Sequence, residues 1–159
     1  MPTPQALHSS SINPANLVEL QVLTQVITQL QSTNDIAGTI PYLAKIVQIV
    51  NNQKLSKPTT QLPNYYKQLN QLRLVQADAY SQLAEAYFHT HQFIKCESNL
   101  LASVRIWEKL VQHGNASEDL KPRLKQAYAM LKTCYEDMGK GQLAQHMETK
   151  SSRISSDDA

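Results

Sequence analysis

The chain has 159 residues, 42% hydrophobic and 18% charged, with four glycines, two cysteines and a formal net charge of +2. That length suffices for a core without disulfide or metal staples, and abundant glutamine with scarce glycine favours helices over a turn-rich β sandwich. The charge is too balanced for a polyanion-binding stripe, which argues against nucleic acid, and no run reaches the ~18 apolar residues of a membrane span.

Residues 1–13 hold two prolines and a serine run with no periodic face, and read as a disordered lead. The start has neither the basic-then-apolar order of a secretory signal nor an arginine-rich transit pattern, so a cytoplasmic or nuclear protein is expected. The ordered domain is expected over 14–150. Asn13-Pro14 suits a helix start, and Leu17, Leu20, Leu23, Val26, Ile27 and Leu30 form one stripe opposite glutamine and threonine. After the Ser32–Asp35 turn, Ile36, Ile40, Leu43, Ile46, Val47 and Val50 define a second helix. Pro41 either bends this helix or begins it.

The stretch 53–63, with two prolines, is the expected linker. A third helix from about Asn64 to Thr90 aligns Leu69, Leu72, Ala79, Leu83, Ala86 and Tyr87, and a fourth runs from Gln92 to about His113. Gly114 supplies a helix C-cap. Ser117, Asp119 and Pro122 mark a restart, and the fifth helix carries Leu120, Leu124, Ala127, Tyr128, Leu131, Tyr135 and Met138 up to Gly139. A short sixth helix over Gln142–Thr149 offers Leu143, Ala144 and Met147, and 151–159 reads as a disordered tail. The fold class is therefore all-α: six helices in three antiparallel hairpins, about 14–52, 64–113 and 117–149.

The middle hairpin resembles the tetratricopeptide repeat, a helix-turn-helix unit of about 34 residues. Tyr80, Leu83, Ala84 and Tyr87 match its first helix, and Phe93, Cys96, Leu100 and Ser103 its second. Tyr128, Leu131, Tyr135, Gly139 and Ala144 form a second copy. Leu23, Val26, Ile27, Leu30, Ile36, Thr39 and Leu43 form a fainter third. Tyr80 and Tyr128 stand 48 positions apart, so the spacing is closer to divergent, long-helix relatives than to a regular array. The resemblance implies either a right-handed superhelix whose first helices line a groove or a bundle of similar hairpins. It also implies an adaptor or scaffold subunit that captures a partner peptide or helix.

Groove residues expected from the first helices, off the buried stripe, are Asn70, Arg73, Gln76, Ala77, Gln82, Arg123, Gln126 and Lys132. The basic set Lys121, Arg123, Lys125 and Lys132 would suit an acidic peptide. Glu85, beside the expected groove, argues against a clamp for an acidic chaperone C-terminus. The alternative is an obligate or self-associating subunit using the nearly uncharged first hairpin, with hetero- or homo-oligomers as the product. Its aliphatics Val22, Ile46, Ile49 and Val50 exceed what one face needs, and Trp107 either packs between hairpins or anchors an interface.

Catalytic, cofactor and metal sites are not expected. His89 and His91, two apart, do not share a helix face and read as a polar turn. Cys96 and Cys134 occupy small core positions, where burial makes a thiol inert. The adjacent acids Glu136-Asp137 and Asp157-Asp158 point apart, and no phosphate loop or nucleophile elbow occurs.

Overall fold

The computed structural model describes residues 12–115 and 119–157, with side chains to residue 154. The described residues form six helices: α1 (Pro14–Ser32), α2 (Ile36–Asn51), α3 (Leu62–His89), α4 (Phe93–Gln112), α5 (Lys121–Asp137) and α6 (Gly141–Asp157). The expected all-α class holds, and each helix packs on its neighbours in sequence.

Within each hairpin the same three-residue turn recurs. Asn34, His91 and Gly139 each take a left-handed backbone, with φ of 60°, 59° and 75°. The residue after each donates its N–H to a carbonyl in the last helical turn: Asp35 to Leu30 (2.9 Å), Gln92 to Tyr87 (2.8 Å) and Lys140 to Tyr135 (2.7 Å). These are Schellman closures, which satisfy carbonyls that a helix end leaves without partners. Gly114 ends α4 in the same way, with Asn115 donating to Leu110. The hairpins are thus copies of one local solution, joined by longer connections over 52–61 and 113–120.

Two apolar clusters hold the stack, and α3 serves both. Leu72, Val75, Ala79, Leu83 and Ala86 face a first cluster with Leu20 and Ile27 of α1 and Leu43, Ile46, Ile49 and Val50 of α2. From another side of α3, Ala77 and Ala84 join a second cluster with Leu100, Val104, Trp107, Leu124, Tyr128, Leu131, Ala144 and Met147. Small side chains there let α4 approach closely, and the buried Ser103 hydroxyl donates to the Ala77 carbonyl at 2.7 Å.

Several boundaries differ from the sequence reading. Ile12 is buried and Asn13 caps α1 through Ala15 N–H (3.0 Å), so order begins before residue 14; residues 1–11 of the expected lead lie outside the described residues. Gln53 fastens this start to the end of α2, accepting from Asn13 N–H at 2.7 Å and donating to Asn16 at 3.1 Å. The second helix begins at Ile36, with Asp35 accepting from Gly38 N–H, and runs through Pro41. The third begins at Leu62 because Gln61 turns left-handed (φ 58°), which places Pro63 in the first turn, where its missing N–H leaves no bond unmade.

Asp119 accepts from Lys121 N–H at 3.1 Å at the start of α5, while Ser117 lies outside the described residues. The largest difference is α6, which continues to Asp157 instead of ending near Thr149. Ile154 packs on the second cluster, and Lys150 reaches Glu108 of α4 at 3.1 Å, so two side chains anchor what reads as a polar tail.

Candidate protein-interaction surface

Four of the eight residues expected to line a groove are committed within the molecule. Ala77 is fully enclosed between α3 and the second cluster, which corrects its placement on an open face. Gln76 donates to the Val50 carbonyl at 3.1 Å and so completes the end of α2. Arg123 of α5 pairs with Asp78 of α3, and Lys132 pairs with Glu148 of α6 at 3.2 Å and lies 3.9 Å from Glu136. Asn70 and Gln82 are half-buried, while Arg73 and Gln126 are exposed on different helices. The structure therefore brings Asp78 and Arg123 together but does not assemble the eight into one open trough.

Two members of the basic set, Lys125 and Lys132, line a shallow depression between α5 and α6 together with Tyr128, Met147, Glu148 and Ser151. Tyr128 also belongs to a linked network. The Tyr128 hydroxyl donates to Glu108 at 2.5 Å, Lys150 donates to the same carboxylate oxygen, and the Lys150 ammonium stands 5.5 Å from the centre of the Tyr128 ring. Burial, with the Glu108 carboxylate beside it, pushes the Tyr128 phenol well above its ordinary range, so it remains a donor. This network ties α4, α5 and α6 together. Its carboxylates oppose the anion that the lysines alone would suit.

A different surface stands out on α1. Leu20 and Ile27 are fully buried, whereas Ala15, Val18, Val22, Gln25, Gln29 and Ser32 run down the opposite side and are all exposed. Their alternating three- and four-residue spacing is that of a helix-pairing seam. Val18 is 67% exposed and Val22 52%, and the only ionisable side chain in the helix is Glu19. Of the four surplus aliphatics, Ile46, Ile49 and Val50 are buried in the first cluster and Val22 is left outside. The outer side of α6, at the other end of the stack, instead carries His146 and Arg153. Sequence reading missed Val18 because it falls among glutamines on what looks like a plain polar face; its spacing from Ala15 and Val22 was the available signal.

Trp107 is buried (3% exposed) in the second cluster, which assigns it to packing. His89 and His91 sit at the α3–α4 turn, His91 with its ring 5.8 Å from that of Phe93, and no group of three or more His, Cys, Asp or Glu able to hold a metal occurs among the described residues. Cys96 of α4 and Cys134 of α5 are free, fully enclosed, and have sulfurs 3.4 Å apart. The bond they share raises the Cys96 thiol, which burial raises further, and lowers that of Cys134. Among the described residues no helix is long and apolar enough to cross a membrane. Comparison with protein-family models, curated proteins and solved structures returned no match to this chain.

Proposed function

We propose that the chain is a helical interaction module, tetratricopeptide-like in its hairpins, that acts as a scaffold or adaptor subunit by taking a partner protein's helix alongside α1. The observation that carries this reading is the exposed, charge-free seam through Ala15, Val18, Val22, Gln25 and Gln29 at one end of the stack. In a stack of helices each inner member is covered on two sides, and an end member needs a polar cap or a neighbour. The charged side chains of α6 supply such a cap at one end. The occupant fitted to the other is an amphipathic helix with apolar residues at three- and four-residue spacing and few charges along its contact edge, since any unpaired ion there would lose water without gaining a partner.

A second copy fits less well. Two copies meeting here would bury only the two valines from each, short of the roughly 1,600 Å² of a typical stable interface. An acidic guest held by α5 is also disfavoured, because Arg123 and Lys132 already face Asp78 and Glu148. Two free thiols accord with a reducing compartment, the cytoplasm or nucleus. No reaction is assigned.

The test uses the full chain. Alone it should be monomeric by light scattering, and in native extract it should sediment as part of a larger complex. The double change Val18→Lys with Val22→Lys should return it to monomer size, because losing two partly buried valines costs about 2–3 kcal/mol, roughly 50-fold in affinity. Gln126→Lys should leave the complex intact. A complex that survives the valine changes, or a chain that sediments as a monomer in extract, contradicts the proposal.

A further inference from the structure

The two thiols are the only nucleophilic sulfurs outside methionine in the chain, and they face each other across the α4–α5 contact. Their sequence separation is 38 residues, and both sit in the second cluster with Ala84, Leu100, Leu131 and Ala144. We infer that Cys96 and Cys134 form a reversible redox staple, closing to a disulfide between α4 and α5 when a hydroperoxide reaches them. A disulfide needs its sulfurs about 2.0 Å apart, so each must move by well under an ångström from the present 3.4 Å.

The chemistry balances with the peroxide as oxidant. One thiolate, Cys134 being the better placed because the shared bond lowers its proton affinity, attacks a peroxide oxygen. The O–O bond breaks, and hydroxide leaves and takes up a proton as water, or as an alcohol from an organic peroxide. The resulting sulfenic acid is attacked by the Cys96 sulfur, which loses its proton; the S–O bond breaks and a second water departs. Two thiols have lost two electrons and two protons, and the peroxide has gained them. Because both sulfurs are enclosed, the peroxide reaches them when the α4–α5 contact opens locally, and the sulfenic acid then closes on Cys96, its neighbour at 3.4 Å in the folded state.

The staple spans the α4–α5 connection and acts on the second cluster alone, leaving the α1 seam untouched, so it stands or falls independently of the proposed function. Closing a loop of this length restricts the unfolded chain and should raise the melting temperature by roughly 10 °C. The experiment treats the purified full chain with hydrogen peroxide, unfolds it, alkylates remaining thiols and measures intact mass and linked peptides.

The expected result is a loss of about 2 Da with no alkylation, a Cys96–Cys134 peptide link, and a melting temperature that rises and falls back on reduction. Cys96→Ala and Cys134→Ala should each abolish the shift; should either variant fail to fold, the wild-type mass and peptide data decide alone. Overturning results are two thiols that still alkylate, a gain of about 32 Da on one cysteine without a link, or disulfides between chains.

Discussion

Ile27→Ala offers a quantitative test of the stacked architecture. Ile27 is fully buried in the C-terminal half of α1 and belongs to the first cluster only. The change removes three carbons, about 2.4 kcal/mol at about 0.8 kcal/mol each, and leaves a cavity whose walls relax only in part, for a total near 4 kcal/mol. The α1 and α2 contacts that would weaken are separated from α5 and α6 by α3 and α4. Amide hydrogen exchange by peptide mass spectrometry should therefore show α1 and α2 opening about 10³-fold more readily, while α5 and α6 change by less than tenfold. Leu131→Ala, at a fully buried site in the second cluster, should produce the mirror image. An equal loss of protection in all six helices would refute the reasoning, because it would mean that the two clusters open as one unit.

Other expectations concern the turns and the buried phenols. Gly139 has a φ of 75° and nothing within 4 Å of where a Cβ would stand, so Gly139→Ala should cost about 1 kcal/mol through the backbone alone; His91→Gly, at the matching position, should gain about half as much. Denaturant titration followed by the fluorescence of Trp107 measures both, and a neutral Gly139→Ala would show that the turn tolerates left-handed geometry without penalty. Tyr135 is pushed up to about 12 by burial, with the nearby Glu97 carboxylate adding to it. Its proton is held more tightly in the folded state than in the unfolded, where the phenol titrates near 10. Its contribution is thus fully present below about pH 10 and lost as pH rises toward 12. Melting temperature should fall through that window and fall less in Tyr135→Phe; parallel pH profiles for the two proteins would contradict this.

Most helices were legible because their apolar spacing is regular: Leu20 and Ile27 in α1, Leu43, Ile46 and Val50 in α2, and Leu124, Leu131 and Tyr135 in α5 lie where the periodicity puts them. The last two turns of α6 were not legible, since Lys150 and Ile154 act through contacts with other helices and a Ser-rich run gives no local stripe. Ala77 was misplaced for a related reason. A single-stripe reading of α3 recognises Leu72, Ala79 and Leu83, whereas Ala77 on another side looks like spare surface until α4 is seen against it. Charge is equally ambiguous in sequence, and Arg123 and Lys132 read as a rim until Asp78 and Glu148 are found opposite. In the α1 seam Val22 reads equally as core, and Val18 is hidden on a face that looks polar.

The proposed partner helix lies along that seam. A photo-activatable amino acid placed in turn at Val18, Val22, Gln126 and Arg73 of the full chain, activated in native cells, reads contact position directly. The account predicts that positions 18 and 22 crosslink to the same partner, through peptides whose apolar residues recur at three- and four-residue spacing, and that Gln25→Lys weakens both adducts while positions 73 and 126 give none. Adducts formed at 73 and 126 but absent from 18 and 22 would contradict it and return the contact to α3 and α5.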